Sequence, residues 1–208
     1  MDLQAIQELL QPNVPQPALA YCLQLWRQLP FELKISKSRQ TKVGDFTVKQ
    51  SLARPRITIN HDLNPFLFLT TLIHEVAHHH TAHRFGLRVD PHGAEWKHVF
   101  SEMLNPLLTD EVYPPELRAV LAAHMQNPMA SSFADVELTR AFRKFDAHYT
   151  NHTTVADLPE GSIFKLQGRF FKKGALRRSR VLCYEMKTKK KYLVPSEALV
   201  GEAQLSLL

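Results

Sequence analysis

The chain has 208 residues, 44% of them hydrophobic, and carries 26 Lys and Arg against 20 Asp and Glu, a formal net charge of +6. That content is enough to bury the core of one domain plus an appendage, and it excludes a disordered chain. No run approaches the roughly 18 apolar residues of a membrane span, and the start, MDLQAIQELL, lacks the basic region and unbroken apolar stretch of a signal peptide, so the expected setting is cytoplasmic.

In chain order, helical patterning covers 3–10 and 16–28. Strands are expected near 31–36, 43–49 and 56–60, where Phe31, Leu33 and Ile35 alternate and Ile57 and Ile59 repeat that logic. Asn64-Pro65 then supplies an N-cap followed by proline at the first helical position, and Gly86 supplies a stop. Leu69, Leu72, Ile73 and Val76 recur between them at helical spacing and give this helix a core-facing stripe.

The same helix carries His74, Glu75 and His78 as H-E-x-x-H. Four residues advance a helix by about 400°, so the two imidazoles leave one face and can share a zinc ion at roughly 2.0–2.1 Å. Glu75 follows about 100° round. A carboxylate there takes a proton from the water that zinc activates and later gives it to a leaving amine, the work of a general base rather than of a ligand. By phase, His79, His80 and His83 point elsewhere and read as boundary or surface histidines; the pair His79 and His83 has ligand spacing but no Glu at its second position. A strand beside such a site would bind an extended peptide by backbone pairing and tolerate many sequences.

A third ligand must come from beyond the helix. The metzincin pattern asks for Gly and His three and six residues after His78, where Thr81 and Arg84 stand, and is excluded. His92 is the strongest candidate. It opens a second helix, expected over 92–105, whose Trp96, Val99, Phe100, Met103 and Leu104 form a buried face. The active helix runs about 10 Å from His78 to Phe85 and residues 86–91 can span roughly 20 Å, so the chain can return to the metal. Glu95 is the alternative third ligand and His98 a weaker one. Further helices are expected over 114–126 and 135–147, separated by Pro114-Pro115 and Asn127-Pro128.

After Tyr149 the composition changes. Residues 151–160 read as a linker, and 161–208 as a small β element punctuated by Gly161, Gly168, Gly174 and Pro195. From Gly161 to Lys191 there are eleven bases (Lys165, Arg169, Lys172, Lys173, Arg177, Arg178, Arg180, Lys187, Lys189, Lys190 and Lys191) and one acid, Glu185. This stretch thus holds about +10 and the rest of the chain about −4. Phe164, Phe170, Phe171, Tyr184 and Tyr192 interleave the charges, as in a cationic groove whose aromatic rings stack on bases; the same rings also suit the core of a tiny sheet with Lys and Arg on its wet face. An acidic protein or other anionic surface would suit the charge as well. Cys22 and Cys183, far apart in apolar surroundings, read as reduced packed thiols.

His74-Glu75-Val76-Ala77-His78, followed after 13 residues by His92-Gly93-Ala94-Glu95-Trp96, resembles the SprT-like zinc metalloprotease family, to which the DNA-dependent protease Spartan belongs. Val43-Gly44-Asp45-Phe46-Thr47-Val48 and Arg56-Ile57-Thr58-Ile59-Asn60 look like that family's strands before the active helix. The resemblance implies an α+β, zincin-like metalloprotease domain over 1–150. Its site would be one catalytic Zn2+ on His74, His78 and His92, with Glu75 as the acid/base and water in the fourth position. Its substrates would be proteins at or near DNA, single-stranded or structured, including DNA–protein crosslinks. DNA contacts would come from Lys165, Arg169, Lys172, Lys173, Arg177, Arg178, Arg180, Lys189, Lys190 and Lys191. One departure stands out: many relatives carry a C-terminal zinc ribbon with four cysteines, and here only Cys183 lies in that region, so Val181, Tyr184, Tyr192, Leu193 and Val194 are expected to replace the metal as a small apolar core. Two other classes remain open: a non-proteolytic nucleic-acid-binding protein with a structural zinc, and a metallopeptidase indifferent to DNA.

Overall fold

Helix formation begins at Asp2, whose carboxylate accepts the Ala5 N–H at 2.9 Å and starts α1 (Leu3–Leu10). A short 3-10 turn leads into α2 (Leu19–Gln28), which buries Cys22 and Trp26; the indole N–H of Trp26 donates to the Phe31 carbonyl at 2.9 Å and fixes how the chain enters the first sheet. That sheet has three strands, β1 (Glu32–Ser36), β2 (Gly44–Thr47) and β3 (Arg56–Asn60), in the order β1-β3-β2. β1 runs parallel to β3 and β2 antiparallel to it. The central strand β3 is buried from Ile57 to Asn60, whereas β2 is an edge.

The computed structural model describes residues 1–39, 42–49, 51–126, 128, 135–146 and 153–204. They divide into two units of mixed α and β structure, Met1–Ala130 with Phe145–Ala147, and Ser131–Lys144 with His148–Leu208. No helix among the described residues is long and apolar enough to cross a membrane.

In the first unit the long helix α3 (Pro65–Phe85) starts as the sequence predicts: Asn64 accepts the Leu67 N–H at 3.0 Å, Pro65 occupies the first turn, and Gly86 ends the helix at φ +82°. The expected single stripe is too narrow. α3 is buried nearly all round from Leu67 to Ala77, and its buried Thr70 is satisfied by the Phe66 carbonyl at 2.9 Å and the Tyr113 hydroxyl at 3.0 Å. The helix expected from 92 starts at Ala94 as α4 (Ala94–Leu104), with Trp96, Val99, Phe100, Met103 and Leu104 buried as the periodicity requires. α5 (Pro115–His124) follows within the range expected for it.

The second unit contains α6 (Val136–Arg143), capped by Asp135, which accepts the Leu138 N–H at 3.1 Å. The helix expected to reach 147 stops at Arg143, and residue 147 lies outside the described residues. Five antiparallel strands follow: β4 (Ile163–Leu166), β5 (Arg169–Arg177), β6 (Arg180–Glu185), β7 (Lys191–Pro195) and β8 (Gly201–Gln204), in the order β7-β6-β5-β4-β8. Gln167 (φ +51°) and Gly168 (φ +75°) make the tight turn between β4 and β5, where two successive positive φ angles match the twist of the strands. Glu197, 4% exposed, pairs with Arg140 at 3.0 Å and Arg143 at 3.5 Å and ties α6 to this unit.

Residues 153–160 are not a linker. Val155 and Leu158 join Phe164, Phe171, Val181, Cys183 and Val194 in one apolar core, Thr154 bridges to Leu199, and the Lys173 ammonium donates to the carbonyls of Ala156 and Leu158. The sequence misleads there because an apolar residue every third position in a short polar stretch carries no period to read. Asn151, His152 and the boundary at 150 lie outside the described residues. The core expected in place of a zinc ribbon is present in part: Val181 and Val194 are buried and Tyr192 packs on them, but Tyr184 and Leu193 face out, 37% and 52% exposed. Cys22 and Cys183 are both free and buried.

Because Leu158 fills this core, Leu158→Ala should cost the second unit roughly 2–5 kcal/mol, read as faster hydrogen exchange at the Phe171 and Val181 amides; a linker residue would leave that exchange unchanged.

Candidate metal centre

His74 and His78 leave one face of α3, and a turn brings the third imidazole to them. In Asp90-Pro91-His92-Gly93 the Gly93 N–H bonds back to the Asp90 carbonyl at 3.0 Å, with Asp at the first position, Pro at the second and Gly at the fourth, the preferences of a type I turn. His92 therefore sits in the turn before α4 and not in the helix. Its side chain still points inward as its distance from Trp96 implies. The Nε2 atoms of the three histidines stand 3.2 Å (His74–His78), 3.1 Å (His78–His92) and 3.3 Å (His74–His92) apart. Glu95 and the exposed His98 do not join them.

That triangle fits a shared cation. Ligands about 2.0–2.1 Å from a tetrahedral zinc stand roughly 3.3–3.4 Å from one another. Hydrogen bonding alone does not account for it, because each Nε2 is either a donor or an acceptor, and three such atoms cannot all satisfy one another. Burial also keeps the rings neutral, as ligands must be. Burial first, then the neighbouring imidazoles, lowers His74 to about 3 and His78 to about 4, and burial pushes His92 down as well.

Trp96, fully buried, is the wall behind the triad. Its ring centroid lies 4.6 Å from that of His74, 5.2 Å from His78 and 4.8 Å from His92, and Phe100 stacks behind it at 4.8 Å. Sequence periodicity identifies Trp96 only as a core residue. Its position four after His92 is the signal that it also orients the rings.

Glu75 is 7% exposed and lies against β2. Burial, then the negative charge of Asp45, raises its carboxyl to about 8, opposed by a hydrogen bond from the Phe46 backbone N–H. The approach is close enough to need glycine: a Cβ on Gly44 would stand 2.6 Å from Thr71 Cγ2 and 2.8 Å from Glu75 Oε1. Asn60 holds the segment before β2 in place, donating to the carbonyls of Arg39 (3.3 Å) and Lys42 (3.1 Å) and accepting from Arg39 Nε at 2.8 Å. Arg39 in turn pairs with Asp45. Neither role of Gly44 or Asn60 is visible in composition or periodicity.

A cavity opens beside the triad and Glu75, lined by Gly44, Asp45 and Phe46 of the edge strand, Thr81 and Ala82 of α3, and Gly86, Leu87, Val89 and Pro91 of the following loop. The other histidines of the run stay apart from the centre, as their phase requires, but only His83 is exposed. His79 and His80 are buried, 5% and 7% exposed, with His79 between Phe31 and Phe46. The expected boundary or surface position is wrong for these two, because α3 is covered on more than one side.

The basic residues of the second unit separate into distinct positions. Lys173 is buried under 153–160, and Arg169 bonds to Glu185 at 3.3 Å while lying over the rings of Phe171 and Tyr192. Arg177 and Arg178 are at the β5–β6 turn, Lys189 and Lys190 at the β6–β7 turn, and Lys165, Lys172, Arg180 and Lys191 on the strands.

The lowered histidines set a pH dependence. Their folded pKa values lie below the ordinary 6.5, so between 6.5 and the folded values the unfolded chain binds more protons, and acid favours unfolding. Metal-stripped protein should hold this contribution fully above pH 6.5 and lose it as the pH falls towards 4 and 3. Urea melts across that range check the slope, which should flatten when His74 and His78 are replaced by Gln.

Residues 21–115 match the model of the SprT-like family. The comparisons with curated proteins and with solved structures returned no match. The matched stretch holds β1 to α4, and with them the three histidines and Glu75. This part of the chain is thus similar to the SprT-like family, over 95 of the 208 residues.

Proposed function

We propose that this chain is a zinc-dependent endopeptidase of zincin-like architecture that acts on proteins at or near nucleic acid, DNA–protein crosslinks among them. The observation that carries the peptidase reading is the convergence of three Nε2 atoms at 3.1–3.3 Å beside a buried carboxylate, on a cavity bordered by an edge strand. His74, His78 and His92 would hold one zinc ion, whose Lewis acidity activates water and polarises a peptide carbonyl.

Among the described residues no fourth His, Cys, Asp or Glu joins the three, as suits a catalytic rather than a closed structural site. Glu75 takes the proton of the attacking water on its carboxylate and passes it to the amine nitrogen as the C–N bond breaks. Burial raises its carboxyl to about 8, and a cation on the three imidazoles would draw it back towards ionisation, into the form that accepts a proton. Gly44, Asp45 and Phe46 line the cavity, and the edge strand that carries them would pair with an extended substrate, recognising backbone more than sequence. The nucleic-acid part of the reading is supported by the eleven bases and one acid between Gly161 and Lys191.

The test is cleavage of a basic DNA-binding protein by the full chain, with and without single-stranded DNA. Glu75→Gln should reduce turnover by roughly 10²–10⁴-fold with zinc content unchanged. Gly44→Ala, which displaces the carboxylate or the strand, should cost about 10²-fold, again with zinc retained. Undiminished cleavage by Glu75→Gln would remove the general-base role, and bound zinc without any cleavage would point to a binding protein. Cleavage indifferent to DNA would leave a general metallopeptidase.

A further inference from the structure

The loop between α3 and α4 places apolar residues where exposure to water would favour polar ones. Leu87, Val89 and Pro91 line the cavity beside the three histidines, whereas the charged residues between them, Arg88 and Asp90, do not. Leu87 is 69% exposed, more than any other large apolar side chain among the described residues. A single exposed leucine is ordinary on a protein surface, but three apolar residues at alternate positions on one cavity wall form a patch of the kind that marks a binding groove.

The same part of the cavity is bordered by α3 itself. Seven residues advance a helix by about 700°, so Thr81 returns to within about 20° of the direction of His74, and Ala82 to within about 20° of that of Glu75. Both line the cavity. Ala82 stands four residues past His78, about 6 Å along the axis, and a side chain longer than its methyl group would project into this space. The strand residue Asp45, also on the lining, is already paired with Arg39 and with Lys42 at 3.3 Å. Apart from Glu75 and the histidines, the lining thus offers no unpaired charge. A charged side chain entering here would lose its water and gain no partner, whereas an apolar one would leave water for carbon.

We infer that Leu87, Val89 and Ala82 form an apolar subsite that takes a leucine-like side chain of an extended substrate within two positions of the bond that is cut. Residues of an extended chain are about 3.3 Å apart, so a chain passing the histidines brings its first or second neighbouring side chain to a pocket about 6 Å away. Backbone pairing along β2 accepts many sequences, and the subsite supplies the selectivity that such pairing lacks. Large apolar side chains are mostly buried in folded proteins, so the subsite favours segments that have come unfolded. The inference rests on the peptidase part of the proposed function and is independent of its nucleic-acid part.

The test uses the full chain with zinc and single-stranded DNA, and peptides of Gly, Ser and Ala in which Leu, Ala, Lys or Asp occupies one position. Mass spectrometry follows cleavage by the wild type, and fluorescence anisotropy follows binding to Glu75→Gln. The Leu peptide should be cut within two residues of the Leu, with kcat/KM at least about tenfold above that of the Ala peptide, and should bind Glu75→Gln the most tightly. Leu87→Ser with Val89→Ser should bring the ratio of Leu to Ala down towards one with zinc content unchanged. Leu87→Glu should turn the preference towards Lys, and Arg88→Ala should keep the wild-type preference. Equal cleavage of all four peptides, a preference for Lys or Asp in the wild type, or a Leu preference that survives loss of both Leu87 and Val89 would overturn the subsite and leave the peptidase reading standing. Binding in the expected order without cleavage by the wild type would support the subsite and overturn the peptidase reading. Neither binding nor cleavage of any peptide would overturn both.

Discussion

One helix has to serve as core and as metal holder at once, and the first unit is arranged around that constraint. α3 buries apolar residues on most sides for its first three turns, then presents His74, Glu75 and His78 from positions that are still largely enclosed. Burial explains the electrostatics: the imidazoles are pushed to their neutral form and the carboxyl towards its protonated one. A divalent ion suits such a site because neutral imidazoles are its ligands, and its positive charge would draw the Glu75 carboxyl back towards ionisation. Left to itself, the same cluster is a liability in acid.

Everything else near the site places partners around that helix. Trp96 backs the three rings, the Asp90–Gly93 turn delivers His92, and Gly44 lets an edge strand lie against Glu75. These supports are small and specific. A methyl group on Gly44 would fill the gap that the carboxylate occupies, so a residue with no side chain helps decide where the acid/base stands.

Much of the first unit can be read in the sequence because its signals are local. H-E-x-x-H fixes two rings by helix geometry, Asn64-Pro65 and Gly86 bound the helix, and alternation finds the strands within a residue or two. Residues whose roles depend on non-local contacts are harder to read. Asn60 acts on the segment before β2, some 20 positions earlier in the chain, and Gly44 acts through Thr71 and Glu75. His79 and His80 look like surface residues until the layers covering α3 are known. In the second unit, charge was plain from composition, but which aromatic faces the core follows only from register: adjacent residues Phe170 and Phe171 end on opposite faces. The segment 153–160 reads as a connector because its two core residues, Val155 and Leu158, have no pattern around them.

On the proposed reading, three imidazoles from α3 and the following turn share one metal ion with a position left open. X-ray absorption at the zinc edge on reconstituted protein reads that shell. One zinc per chain is expected, with three imidazole nitrogens and one exchangeable oxygen at about 2.0 Å, lost in His92→Ala and kept in Glu95→Ala. Zinc retained in His92→Ala with an unchanged shell, or a shell closed by a fourth protein ligand, would contradict it.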